Sequence, residues 1–195
     1  MTKDEVLQHF RDSGALLEGH FLLTSGLHSP IYMQCAKVLM HPDRAEALCR
    51  ALAAKLNARF GRGFADMVIS PAMGGVVVGY EVGRQLGLPA IFTERVDGQF
   101  ALRRGFTIAK GARLLMVEDV ITTGKSSREC IDCAEANGGI VVAAACLVDR
   151  SDGAVNLGVP LLPLIGYKVP AYAADAIPPA LAKLPAVKPG SRGLQ

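Results

Sequence analysis

The sequence has no run of basic residues, no leader-like start and no uninterrupted apolar stretch long enough to span a bilayer. Its formal charge of +3 comes from Lys and Arg residues scattered along the chain, of which only Arg103 and Arg104 are adjacent. A basic face for nucleic acid is therefore not expected, whereas a small anionic substrate is compatible with this balance. The opening MTKDEVLQHF sets acids where a secretory leader needs a basic start and an apolar core. A cytoplasmic protein that contacts no membrane is expected.

Cysteine is also sparse in pattern. Cys35, Cys49, Cys130, Cys133 and Cys146 are odd in number and irregularly spaced, which excludes a disulfide framework and suits a reducing compartment. Only Cys130 and Cys133 form a CxxC, and no second pair exists to complete a zinc site, so they read as two small residues on one helical face. Long linkers, internal repeats and low-complexity segments are absent. What remains is 195 residues, half of them hydrophobic, enough for one domain over 1–195 with a proper core.

That core has a periodic layout. HPDRAEALCRALAAKLNARF opens with Pro42 and Asp43, suited to a first helical turn, and repeats Ala45, Leu48, Leu52 and Leu56 at helical spacing. FADMVIS then reads as a buried strand, SPAMGG as a turn, and the segment from about Val76 to Leu86 as a helix. LPAIFTE and RLLMVED repeat the strand signal on either side of a polar interval ending near Lys110. TTGKSSRECIDCAEAN reads as loop and helix stopped by Gly138 and Gly139, and IVVAAACLVDR as a further strand. Strands apolar throughout and alternating with helices predict an α/β fold, a central mostly parallel sheet covered on both faces. Such sheets bind ligands beyond the carboxyl ends of their strands. Those ends carry Ser70 to Gly75, Glu94 and Arg95, Glu118 to Ser126, and Asp149 with Arg150.

LLMVEDVITTGKSS places two carboxylates at the end of a buried strand and a hydroxyl-rich turn at the start of a helix. Exposed amides over Thr122 to Ser126, backed by the helix dipole, attract phosphate, and Thr122, Thr123 and Ser126 add hydroxyl donors. Glu118 and Asp119 would repel that phosphate, so they are better placed to accept hydrogen bonds from sugar hydroxyls or to contact a divalent cation. Phosphate on one side and hydroxyls on the other describe a ribose phosphate. Gly124, Lys125 and Ser126 also match the end of an NTPase P-loop, but its first glycine falls on Asp119, where a carboxylate opposes a polyphosphate. An acidic strand end followed by an ordinary capped helix is the plainer alternative.

VEDVITTGKS resembles the signature of the type I phosphoribosyltransferases, which bind 5-phosphoribosyl 1-diphosphate. FLLTSGLHSP, SPAMGG, TERVDGQFALRRGF and LVDRSDG extend the likeness over most of the chain and are similar to the orotate phosphoribosyltransferases. The resemblance implies the type I fold with a small hood formed by about residues 1–40 and the C-terminal segment. It implies a mobile loop at about 95–111 that closes over the neighbouring site of a homodimer. It assigns 5-phosphoribosyl 1-diphosphate to Glu118, Asp119, Val120, Ile121, Thr122, Thr123, Gly124, Lys125 and Ser126, with Arg95, Ala72, Met73 and Gly74 toward the diphosphate. Orotate falls to Thr122, Arg150, Ser25, Gly26 and Tyr32, with Thr24, Ser29 and Pro30 in the same hood.

Catalytic roles are implied for Glu118, Asp119 and Arg95, and Arg103 and Arg104 are the nearest cations to the loop lysine and histidine of some relatives. Thr24 and Met73 stand where some relatives carry lysine. The implied reaction is phosphoribosyl transfer to orotate, giving orotidine 5'-phosphate and diphosphate in pyrimidine biosynthesis, with magnesium held by diphosphate and ribose oxygens. Asp119 is the one candidate for a direct protein contact to the ion. None of His9, His20, His28 and His41 is given a catalytic role. A purine or uracil phosphoribosyltransferase, and a nucleotide-sensing regulator built on the same fold, are the competing expectations.

Overall fold

The computed structural model describes residues 1–23 and 26–188. In chain order the elements are α1 (Lys3–Asp12), β1 (Leu16–Leu22), β2 (His28–Met33), α2 (Cys35–Leu39), α3 (Pro42–Phe60), β3 (Met67–Pro71), α4 (Gly74–Leu86), β4 (Ala90–Val96), β5 (Gln99–Leu102), β6 (Arg113–Ile121), α5 (Lys125–Ala136), β7 (Ile140–Asp149), β8 (Leu161–Gly166), α6 (Pro179–Ala182) and β9 (Ala186–Val187). Six strands form the main sheet in the order β5-β4-β3-β6-β7-β8. All are parallel to their neighbours except β5, which returns antiparallel on β4 at the edge.

Alternation along the strands divides the core into two layers. Leu115 and Val117 of β6, with Ala143, Ala145 and Leu147 of β7, face the cluster holding Leu48, Leu52 and Leu56 of α3 and Val78 and Val82 of α4. Leu114, Met116, Ala144 and Cys146 face the other way, onto Cys130, Ile131 and Ala134 of α5. The helical stripe expected on α3 is the face it buries, with Pro42 in its first turn. The five cysteines are buried and unbridged, and Cys130 and Cys133 lie on the inner side of α5.

A second, three-stranded sheet has the order β2-β1-β9 and is built from the segments expected to form the hood. β1 and β2 pair antiparallel, and the short C-terminal β9 joins β1 in parallel. The C-terminal segment is strapped to it by polar contacts. His28 and Tyr172 exchange backbone hydrogen bonds of 2.8 Å in each direction. The buried Ser29 Oγ donates to the carbonyls of Ile31 at 2.8 Å and Pro170 at 3.0 Å. His20 joins Leu184 O through Nδ1 at 2.9 Å and His28 Nδ1 through Nε2 at 2.7 Å.

Three boundaries differ from expectation. α4 begins at Gly74 rather than near Val76, because both glycines of the turn already lie in the first helical turn. β6 runs on to Ile121, two residues beyond the strand RLLMVED read from sequence, so Glu118 and Asp119 sit just inside its end rather than as its last two residues. The polar interval holds β5, folded back through Asp97 (φ 50°) and Gly98 (φ 83°), both in the left-handed region that a tight two-residue hairpin turn requires. β8 had no counterpart in the expected pattern. Pro160 just before it and Pro163 within it disguise it, and Pro163 is tolerated because β8 is an edge strand.

Candidate functional site

The order of strands creates the site. From β3 the chain steps outward through α4 to β4, whereas from β6 it steps the opposite way through α5 to β7 and β8, so the connections diverge between β3 and β6. A crevice opens at the carboxyl ends of those two strands, where α/β sheets receive ligands. The turn Ala72 to Gly74 forms one lip and the segment Glu118 to Ser126 the other.

On the β6 side the acids are half-buried at the end of the strand, and each is held by a different donor. Ser127 Oγ donates to Glu118 Oε2, and the backbone N–H of Val120 donates to Asp119 Oδ1 at 2.8 Å. Burial pushes the Glu118 carboxyl up to about 7, opposed by the Ser127 hydrogen bond and assisted by the charge of Asp119. Burial raises Asp119 as well, against the backbone donors around it. Ile121 is 1% exposed and packs in the core, so it and Val120 present backbone rather than side chains to a ligand. Thr122, Thr123 and Lys125 are exposed beside the N-terminus of α5, and Ser126 is half-buried. Gly124 caps that helix at φ 74°. A Cβ there would lie 2.5 Å from Val155 Cγ1, so space as well as backbone conformation calls for glycine. Arg128 fixes the loop that closes on it, with one guanidinium nitrogen on the carbonyl of Leu157 at 2.5 Å and another on Glu135 at 3.1 Å.

Across the crevice, a Cβ on Gly74 would stand 3.0 Å from Asp119 Oδ1, so the absence of a side chain lets the turn approach the acid. The Ala72–Met73 peptide is cis, and Met73 is 84% exposed. Of the candidate cations, Arg95 makes an ion pair with Glu129 of α5 at 2.5 Å, donates to Gly98 O at 2.7 Å, and stacks on Phe100 with 4.2 Å to the ring centroid. Arg104 grips both oxygens of Glu94 at 2.8 and 2.9 Å and so buttons the hairpin to β4. Arg103 is exposed and makes no ion pair among the described residues.

The base side is assembled from distant parts of the chain. Arg150 follows β7, and its side chain is half-buried with no ion pair among the described residues. It forms no ion pair with its neighbours Asp149 and Asp152. Asp149 is buried and accepts from the backbone of Ser151 at 2.8 Å and Gly153 at 3.3 Å, and Asp152 pairs with Lys168 at 2.7 Å. Among the described residues Arg150 Nε is buried without a hydrogen-bond partner, and burial lowers its affinity for a proton, partly offset by Cys35 and Tyr32. A half-buried guanidinium left unpaired is a place for an anion. Tyr32 is half-buried on β2 with its ring 5.8 Å from that of Phe21, and Gly26 is exposed at φ 82°. Thr24 and Ser25 lie outside the described residues. Cys35 and Ser127 were not expected at the site, and nothing local in the sequence marked either, whereas Gly74 was expected there as part of the turn toward the diphosphate.

A phosphoribosyl transferase domain model matches residues 38–157, from α2 through the loop that covers Gly124. The chain is 55% identical to the orotate phosphoribosyltransferase of Maricaulis maris over 194 residues, covering 100% of both chains. It is 58% identical to that of Sphingopyxis alaskensis over 195 residues, covering 100% of this chain and 99% of the relative. Among solved structures, orotate phosphoribosyltransferase from Aeropyrum pernix superposes with a TM-score of 0.67 at 28% identity, covering 83% of this chain and 93% of that one. With full-length likeness of this degree and the ribose-phosphate crevice described above, the chain belongs to the phosphoribosyltransferases, and within them to the orotate phosphoribosyltransferases.

Proposed function

We propose that the chain is a pentosyltransferase that moves the phosphoribosyl group of 5-phosphoribosyl 1-diphosphate onto orotate, giving orotidine 5'-phosphate and diphosphate in pyrimidine nucleotide synthesis. The observation that carries the choice of base is the unpaired, half-buried guanidinium of Arg150 at the sheet edge beside Tyr32. A planar carboxylate such as orotate's suits a guanidinium fork and restores the partner that burial has taken from it.

The residues divide the work by charge. The loop from Thr122 to Ser126, at the N-terminus of α5, receives the 5'-phosphate. Glu118 and Asp119 accept from the ribose hydroxyls, and their negative charge favours the positive character that grows at the anomeric carbon as diphosphate leaves. The turn from Ala72 to Gly74 faces the diphosphate with backbone amides, which leaves Met73 free of the ionic role that lysine has in some relatives. The ring nitrogen of orotate forms a bond to the anomeric carbon while the bond from that carbon to the diphosphate oxygen breaks. Orotate loses its ring proton without a dedicated strong base, so positioning and electrostatics do most of the work. Among the described residues no three or more His, Cys, Asp and Glu side chains converge on a point. The two adjacent carboxylates fit a hard cation whose ligands come mainly from diphosphate and ribose oxygens. Magnesium held in that way supplies neutralisation of the leaving group.

Arg95, held by Glu129 in this structure, is released to the diphosphate when the loop at about 95–111 closes, and the exposed Arg103 of the same loop adds a second cation. A homodimer fits one further feature: Met73, Val77 and Tyr80 form a stripe down α4 that starts at the diphosphate turn, with Val77 49% and Tyr80 67% exposed. That stripe suits burial against a second copy whose loop reaches this site. A single domain and a cytoplasmic location complete the proposal, and no helix of the described residues is long and apolar enough to cross a membrane.

The test follows orotate absorbance in purified protein. Orotate is expected to disappear only when 5-phosphoribosyl 1-diphosphate and magnesium are both present. Conversion of purine bases or uracil in its place would overturn the assignment.

A further inference from the structure

The buried side of α5 consists of Ser127, Cys130, Ile131, Cys133 and Ala134. One hydroxyl therefore sits among apolar and thiol groups, and Ser127 is 0% exposed. A buried hydroxyl is costly unless it is hydrogen-bonded, and a helical serine usually satisfies itself on a carbonyl three or four residues back in its own helix. Ser127 instead donates to Glu118 Oε2 on β6. The other oxygen, Oε1, has no hydrogen-bond partner among the described residues and is not sealed from solvent. Alanine would pack equally well at this point of the helix, so packing alone does not call for the hydroxyl.

We infer that Ser127 is a positioning residue for ribose recognition: its hydroxyl fixes one oxygen of Glu118 and leaves the other presented to the sugar diol of 5-phosphoribosyl 1-diphosphate. This role rests on the phosphoribosyl-transfer reading above and adds to it a residue outside the acid pair and the phosphate loop. The terminal torsion of a glutamate is broad, and an unanchored carboxylate must be ordered when the sugar arrives. With Oε2 held from α5, that ordering is complete in the free protein. The hydrogen bond also links the helix that receives the phosphate to the strand that receives the ribose, so both ends of the same substrate meet one rigid unit.

Calorimetric titration with 5-phosphoribosyl 1-diphosphate and magnesium, together with separate KM values for the two substrates, tests this in wild type, Ser127→Ala, Glu118→Ala and the double variant. Ser127→Ala is expected to raise Kd and KM for 5-phosphoribosyl 1-diphosphate about 10-fold while the KM for orotate stays within about twofold, as loss of one charge-assisted hydrogen bond implies. The same change should add nothing in the Glu118→Ala background, where no side-chain acceptor remains, and Ser127→Thr, which keeps the hydroxyl, should recover most of the affinity. An equal rise in both KM values, an unchanged Kd, or an undiminished penalty in the Glu118→Ala background overturns the proposal. The titration needs no turnover. A wild type that binds 5-phosphoribosyl 1-diphosphate but consumes no orotate overturns the reaction alone, and the Kd values still decide on Ser127.

Discussion

The two halves of the crevice are built in opposite ways. The half proposed to hold the ribose phosphate comes from one continuous strand, loop and helix, in which Glu118, Asp119, Gly124 and Ser127 lie within ten residues and are fixed by contacts inside that unit or by the loop closing on it. The half proposed to hold the base brings Tyr32 of the small sheet beside Arg150 at the end of β7, and that sheet is held by a C-terminal strap through His20, His28 and Ser29. On the proposed assignment, chemistry common to all phosphoribosyl transfer is encoded locally, and selectivity for one base depends on tertiary assembly. Damage to the first half should cost the reaction whatever the base, and damage to the second should cost the base alone.

The largest effect expected is on the first half. Asp119→Asn removes a charge placed where the sugar becomes cationic, and kcat/KM should fall on the order of 100-fold or more with little change in thermal stability. Steady-state assays against both substrates check it. An undiminished variant removes Asp119 from the ribose site. Gly124→Ala comes next, since it forces a side chain into the left-handed region and against Val155. A loss of about 2 kcal/mol or more in a denaturant titration is expected, together with weaker binding of the 5'-phosphate.

Acidity offers a gentler way to separate the halves. With Glu118 pushed up to about 7, its charged form is lost as pH falls through neutrality, so the affinity for 5-phosphoribosyl 1-diphosphate should drop on that limb. Stability moves the other way. Burial of the acid favours its protonated form in the fold, a contribution fully present below about 4.5 and lost as pH rises through about 7. Melting curves of wild type and Glu118→Gln, the neutral mimic of the protonated acid, should lie together near pH 4.5 and separate as pH rises through about 7, with the wild type falling below the variant, and parallel curves would contradict it. The smallest effect is expected in the hood, where His20→Ala removes the bridges to Leu184 and His28 at a cost of about 1–2 kcal/mol. The KM for orotate should rise slightly and that for 5-phosphoribosyl 1-diphosphate should not.

The same contrast explains how much could be read from the chain. The strand periods, the glycine turns and the acid pair before TTGKS are short-range signals, so the parallel sheet and the strand, loop and helix that carry the acid pair were legible. The hood strands were not, because β1 and β2 are short and interrupted by Gly19 and Pro30, and β9 has two residues whose only claim to be a strand is their pairing with β1. Asp97-Gly98 was a readable hairpin signal that the polar character of the interval obscured. Nothing local marked Ser127 as the partner of Glu118, or Arg104 as the fastener of the hairpin to Glu94, since both depend on which helix or strand returns to which edge.

The most direct test of the division is the pair of KM values in Arg150→Ala. The account predicts a rise of about 100-fold for orotate, the loss of a half-buried guanidinium paired with a carboxylate, and a change within about threefold for 5-phosphoribosyl 1-diphosphate. Equal rises for the two substrates, or an unchanged KM for orotate, would contradict it.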